Sequence, residues 1–236
     1  MATEKLKEFR TTVDDEEMLR AYNANFEAHK VGITTQQSAE YYTKWARTGA
    51  YDQDILQGKI YTGPKVAASV LAQHFPSNRD TVSILDIAAG TGYVAEELLK
   101  HGFKVIDALD PSEGMLEVAR SKGLYRKYIC EFFTEGTPGL QEDEYDCCVV
   151  SGGMGEGHIP CSGLREMIRV IKPGGLVCIA MREEYLSYVE DYKNKLEPLM
   201  SQLENEGKWR RLSREVIPNY SFNKNGIVFK YEKCKH

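Results

Sequence analysis

From Val82 onward, short apolar runs alternate with amphipathic stretches, the pattern of a parallel sheet covered by helices. Strands are predicted at Val82–Ile87, Phe103–Leu109, Lys127–Phe132, Tyr145–Ser151 and Gly175–Met181, each rich in β-branched or small apolar residues. Helices are predicted between them at Tyr93–His101, Ser112–Lys122 and Ser162–Ile171. Gly102, Gly123 and the run Lys172-Pro173-Gly174-Gly175 supply the stops. Glu183 to about Glu206 reads as a helix bent at Pro198. The last two runs, Ser213–Ser221 and Ile227–Glu232, alternate apolar and polar residues around the turn sequence Asn223–Gly226. The prediction is an α/β fold with a mainly parallel seven-stranded sheet, an antiparallel C-terminal hairpin and helices on both faces.

Residues 1–40 are polar and charged and read as a loose or helical lead-in, and Tyr41–Phe75 reads as helical. With no internal repeat and no low-complexity segment, the chain divides into that lead-in and one domain over residues 41–236.

Composition changes the picture mainly by exclusion. The 236 residues are 42% hydrophobic and 28% charged, enough for one sizeable core. The net charge is −5, and no run of lysines and arginines interleaves with aromatics, so a nucleic acid is disfavoured as partner. Met1 to Glu8 lacks the apolar core of a signal peptide, and no window is apolar over a membrane-spanning length. The expectation is a cytoplasmic protein with no membrane partner. Six cysteines without a CxxC pair read as reduced, core-packing thiols, with no metal site.

The candidate chemistry centres on Ile84-Leu-Asp-Ile-Ala-Ala-Gly-Thr-Gly92, which runs off the first strand into a helix, where an α/β sheet opens its ligand crevice. Gly90 and Gly92 let the backbone approach a ligand, and the helix N-terminus offers free N–H groups to a carboxylate. Asp110 ends the second strand 20 residues after Gly90, where a carboxylate can accept from both hydroxyls of an adenosine ribose. The same spacing also fits the dinucleotide fingerprint of an NAD-dependent oxidoreductase. Asp86 argues against that alternative, since it would repel a pyrophosphate but can bind an ammonium. Met115 stands where it can pack on an adenine face, and Lys172-Pro-Gly-Gly-Leu176 precedes the fifth strand.

These residues resemble the class I S-adenosylmethionine-dependent methyltransferases. Trp45-Ala46, Tyr51-Asp-Gln-Asp54, Leu85–Gly92, Gly114-Met-Leu116 and Lys172–Val177 are similar to the methyltransferase-like branch associated with the Williams-Beuren syndrome chromosomal region. The likeness runs from about Tyr41 to Arg182 and implies a Rossmann-like sheet with S-adenosylmethionine as cofactor. By that resemblance, Asp86, Ala88, Gly90 and Gly92 line the methionine moiety, and Asp110, Pro111 and Met115 hold the adenosine. Two positions depart from the pattern. Ala88 stands where many members carry their first glycine, which a slightly wider turn would accommodate. Cys130-Glu-Phe-Phe-Thr134 stands where an aspartate often receives the adenine amine.

Methyl transfer from a sulfonium is an in-line displacement, so the protein must hold nucleophile and methyl in register and exclude water. Ser151 and Gly152, at the end of the fourth strand, are expected beside the cofactor. His158 is the candidate general base, with Glu156 a weaker one in the same glycine-rich loop, which otherwise reads as a mobile connection. Trp45 and Tyr51, near Tyr42, read either as a lid over the cofactor or as anchors of a terminal helix. Cys161 follows Pro160 as a cytosine methyltransferase nucleophile does, but the acidic chain argues against that chemistry. The expected activity is methyl transfer to an unknown small molecule or protein site, the alternative being a cofactor-binding adaptor without turnover.

Overall fold

The computed structural model describes residues 16–57 and 61–235. Its sheet is built from β1 (Ser83–Ile87), β2 (Val105–Leu109), β3 (Lys127–Ile129), β4 (Tyr145–Ser151), β5 (Ile171–Arg182), β6 (Trp209–Ser221) and β7 (Lys224–Lys233). These strands lie in the order β3-β2-β1-β4-β5-β7-β6. The first five are parallel, and β7 runs antiparallel to both β5 and β6. The expected Rossmann-like sheet with an antiparallel hairpin is what the chain adopts. Because the order reverses between β1 and β4, the crevice of the fold opens at the carboxyl ends of those two strands.

Alternation along the buried strands divides the core between the two faces. Ile84, Ile106, Cys147, Val149 and Cys178 point one way, against α3 (Gly63–His74), α4 (Tyr93–Lys100) and α5 (Glu113–Lys122). Leu85, Ile87, Cys148, Val150, Val177 and Ile179 point the other way, against α6 (Gly163–Val170) and α8 (Leu196–Asn205). A third cluster, joining Ala21, Tyr22, Trp45, Ile55 and Phe222, seats α1 (Glu16–Ala28), α2 (Thr35–Arg47) and the π turn Asp52–Gln57 against the hairpin.

Several boundaries differ from the sequence reading. The predicted third strand, Lys127–Phe132, ends at Ile129. The predicted bent helix over residues 183–206 is instead α7 (Tyr185–Tyr188) and a separate α8. Pro198 falls in the first turn of α8, where its missing N–H breaks no helical bond, so it causes no kink. The stretch 41–75 is broken after Arg47, at Gly49, whose φ of +74° suits a turn. Residues 58–60 of that prediction, and 1–15 of the lead-in, lie outside the described residues; residues 16–28 of the lead-in are helical. The hairpin turn is tighter than expected: β6 and β7 are joined by Phe222 and Asn223 alone, both with positive φ. No described helix is long and apolar enough to cross a membrane.

Candidate active site

The chain leaves β1 through a turn in which Ala88, Gly90 and Gly92 all have positive φ, of 57°, 55° and 95°. Ala88 itself takes the left-handed conformation, at a cost of about 1–2 kcal/mol. Gly92 caps α4, and a Cβ there would lie 2.6 Å from Leu124 Cδ1. At Gly90 the nearest atom to such a Cβ is Tyr51 Oη, at 3.9 Å, so the space above that peptide is open.

Asp110 organises the turn from the end of β2. Its Oδ2 accepts from Gly90 N at 2.8 Å and its Oδ1 from Ser112 N at 2.8 Å, each oxygen keeping a lone pair for a ligand. Burial pushes its carboxyl up to about 6, against the pull of those two bonds. Ser112 caps α5 by accepting from Met115 N and contacts Thr43 Oγ1 at 2.8 Å, tying α2 to the crevice. Asp86 is fully buried beneath the turn. Tyr125 Oη donates to its Oδ2 at 2.6 Å, and its Oδ1 has no hydrogen-bond partner among the described residues. Burial pushes this carboxyl up to about 7.

These elements border a cavity of about 340 Å³ at the carboxyl end of the sheet. Of the residues singled out in the sequence, Tyr51, Ala88, Gly90, Asp110, Pro111, Met115, Ser151, Gly152 and His158 line it. Asp86, Gly92 and Trp45 stand behind its wall. Trp45 packs against Tyr42 and Tyr51, at ring separations of 6.0 and 5.0 Å, and donates Nε1–H to the buried Asp54. Ser151 Oγ meets Tyr61 Oη at 2.7 Å at the end of β4, and Gly152 is left-handed, with no room for a Cβ against that phenol. Phe132, Phe133 and Thr134 reach the wall after β3; Cys130 does not.

The loop after β4 packs against the N-terminal helices. His158 is half-buried, with Nδ1 2.8 Å from the Glu156 carbonyl oxygen, so that nitrogen carries the proton and Nε2 faces Tyr42 Oη at 3.3 Å. Burial pushes its pKa down to about 4, away from the neutral value expected of an exposed loop histidine. Glu156 instead accepts from Gly32 N, securing the loop to the α1–α2 connection. The Cys161 thiol donates to the Asp191 carbonyl and is pushed up to about 12 by burial, which makes it a poor nucleophile.

The sequence reading missed a second group of lining residues: Asn25, His29, Arg182, Tyr185, Tyr220 and Phe222. One signal was available for Arg182, since an apolar strand that ends in a charged residue at the carboxyl edge of the sheet delivers that charge to the crevice. His29 stacks on His158 at 4.2 Å and on Tyr185 at 5.6 Å, contacts that no local pattern encodes.

A model of the methyltransferase domain family matches residues 84–175, from within β1, through the glycine turn, into β5. The chain is 37% identical to methyltransferase-like protein 27 of Homo sapiens over 177 residues, 75% of this chain and 69% of that protein. It is 41% identical to a demethylmenaquinone methyltransferase of Clavibacter sepedonicus over 98 residues, which span 41% of this chain and 39% of that enzyme. Among solved structures, the 1,6-didemethyltoxoflavin-N1-methyltransferase of Burkholderia thailandensis, with S-adenosylhomocysteine bound, superposes with a TM-score of 0.60 over 86% of this chain and 92% of that one. The identity there is 15%, so that likeness speaks for the fold alone. The long match to the human protein and the family match over the glycine turn agree with the sheet order, and the chain therefore belongs to the class I S-adenosylmethionine-dependent methyltransferases.

Proposed function

We propose that the chain binds S-adenosylmethionine over the turn from Asp86 to Gly92 and transfers its methyl group to a small molecule held in the aromatic part of the same cavity. The observation that carries this reading is the pair of acidic side chains around the turn. Asp110 is fixed by two backbone N–H groups with lone pairs to spare, and Asp86 holds a buried oxygen without a hydrogen-bond partner among the described residues. A ribose diol fits the first and an ammonium group fits the second. Pro111 and Met115 supply apolar surface for the adenine, and Ser151 and Gly152 border the crevice from β4.

The cofactor, when bound, supplies a methyl group activated on a sulfonium sulfur. The protein's own work is to orient the acceptor and keep water out. Tyr42, Tyr51, Tyr61 and Tyr185 enclose the space, and their phenols stay protonated because burial raises them. His158, neutral and weakly basic, is placed to accept a hydrogen bond or to wall the acceptor rather than to strip a strongly held proton. A concave, largely aromatic cavity beneath two helices suits a small acceptor better than a protein side chain. Six free thiols suit a reducing, cytoplasmic setting.

The test is to incubate the protein with methyl-labelled S-adenosylmethionine and a deproteinised metabolite extract. Label is expected in the small-molecule fraction and is expected to be lost with Asp110→Ala. Label confined to protein, or none transferred, would overturn the proposal.

A further inference from the structure

Among the described residues that line the cavity, Asp110 is the one carboxylate and Arg182 the one lysine or arginine. They sit at the carboxyl ends of β2 and β5, three strand spacings apart in the sheet, or roughly 14 Å. The cavity therefore has an acidic end, assigned above to the cofactor, and a cationic end assigned to nothing.

Arg182 is more than nine-tenths buried. Its Nη2 donates to Asn25 Oδ1 at 2.7 Å and to Ser221 Oγ at 3.3 Å, tying α1 to the hairpin. That tie uses one nitrogen. Nη1 is 3.9 Å from Glu184 Oε1, beyond hydrogen-bond reach, and Nε has no hydrogen-bond partner among the described residues. Without a hydrogen bond among the described residues, Nη1 and Nε are available to a ligand in the cavity that Arg182 lines. A planar fork with free donors suits a carboxylate or another delocalised oxyanion, which it can bind in two places at once.

The surroundings add shape to that charge. Tyr185 and Phe222 flank the guanidinium at 5.6 and 5.0 Å, and His29, His158 and Tyr42 continue the aromatic surface. Phe222 holds its position at φ +49°, a conformation that a bulky side chain rarely adopts and that is retained where the surroundings impose it. His29 and His158 are both held neutral by burial, so the positive charge at this end comes from Arg182, with the Glu184 carboxylate behind it at 3.9 Å.

We infer that the methyl acceptor is a flat organic anion, an aromatic carboxylate or a similarly delocalised oxyanion, bound with its charge against Arg182 and its plane among these rings. This rests on the proposal that the Asp110 end holds the cofactor. It also removes the need for a strong base. An acceptor that arrives as an anion attacks the methyl carbon with its own lone pair, and the carbon–sulfur bond breaks with its electrons going to sulfur, so cation and anion give two neutral products and no proton moves.

The test titrates the full chain, saturated with S-adenosylhomocysteine, with cinnamate and with cinnamamide, a planar acid and its neutral isostere. Cinnamate is expected to bind about tenfold tighter or more, as a charge-assisted pair predicts. Arg182→Met should remove that preference while leaving S-adenosylhomocysteine affinity unchanged, and Arg182→Lys should keep part of it. Equal affinities in the wild type, a tighter amide, or no binding of cinnamate at millimolar concentration would overturn the inference, whether or not the variants fold. Failure of S-adenosylhomocysteine to bind the wild type would overturn the underlying proposal and this inference with it. Its binding without an anion preference would overturn this inference alone.

Discussion

Tyr125 donates its phenolic hydrogen to Oδ2 of Asp86 at 2.6 Å, while Oδ1 of the same buried carboxyl has no hydrogen-bond partner among the described residues. A buried carboxylate that is half satisfied is destabilising by itself, and its pKa, raised to about 7, is the direct sign of that. The cost is absent below the unfolded-state value near 3.8 and is fully present once the pH exceeds about 7, so this group weakens the ligand-free fold as the pH rises through that window.

Ligand binding reverses the sign. An ammonium pairs with the ionised form, so binding draws a proton off Asp86 near neutral pH. The affinity for S-adenosylhomocysteine is expected to increase by about tenfold between roughly pH 6 and pH 8, with protons released on binding. Asp110, raised to about 6, acts in the same sense at the lower end. Calorimetry in two buffers of different ionisation enthalpy measures both quantities. Asp86→Asn should flatten the upper part of the profile; a wild-type affinity independent of pH would remove Asp86 as the ammonium partner.

The glycine turn predicts opposite outcomes at two neighbouring positions. Ala88 already takes φ +57°, so Ala88→Gly relieves backbone strain of about 1–2 kcal/mol while loosening the unfolded chain by about 0.4–1 kcal/mol, and stability should stay level or rise slightly. Gly92 is left-handed and its Cβ would collide with Leu124, so Gly92→Ala should cost about 1–3 kcal/mol or more. Urea midpoints of the two variants check this, and a Gly92→Ala protein as stable as wild type would contradict the geometry.

Trp45 separates an anchor from a lid. Its indole N–H satisfies Asp54, a buried carboxylate that also pairs with Arg20 at 2.9 Å. Trp45→Phe leaves that oxygen short of a donor and should destabilise the fold by about 1–3 kcal/mol, read as a lower urea midpoint. S-adenosylhomocysteine affinity should change by less than about threefold, since the ring stands behind Tyr42 and Tyr51. A loss of affinity as large as that from Asp110→Ala would make Trp45 part of the binding surface.

What the sequence made legible follows the range of the interactions. The strand and helix order, the glycine turn and Asp110 are written in local pattern and short spacing, and the sheet order and the Gly90–Asp110 bond agree with them. The cationic end is not local. Asn25 and Arg182 are 157 residues apart, and Tyr42 and His158 are 116 apart, so only the packing of α1 and α2 over the sheet brings them to one cavity. Pro198 misled because a proline marks a bend inside a helix but a permitted start in its first turn, and sequence pattern alone did not locate that start.

Whether the crevice bounded by the Ala88–Gly90 turn and Asp110 holds S-adenosylmethionine is read from calorimetric titration of the wild-type chain and Asp110→Ala with S-adenosylhomocysteine and with NADH. The account predicts that S-adenosylhomocysteine binds the wild type, that Asp110→Ala weakens it by about 1–3 kcal/mol, and that NADH gives no saturable heat. Saturable NADH binding without a response to S-adenosylhomocysteine, or an unchanged dissociation constant in Asp110→Ala, would contradict it.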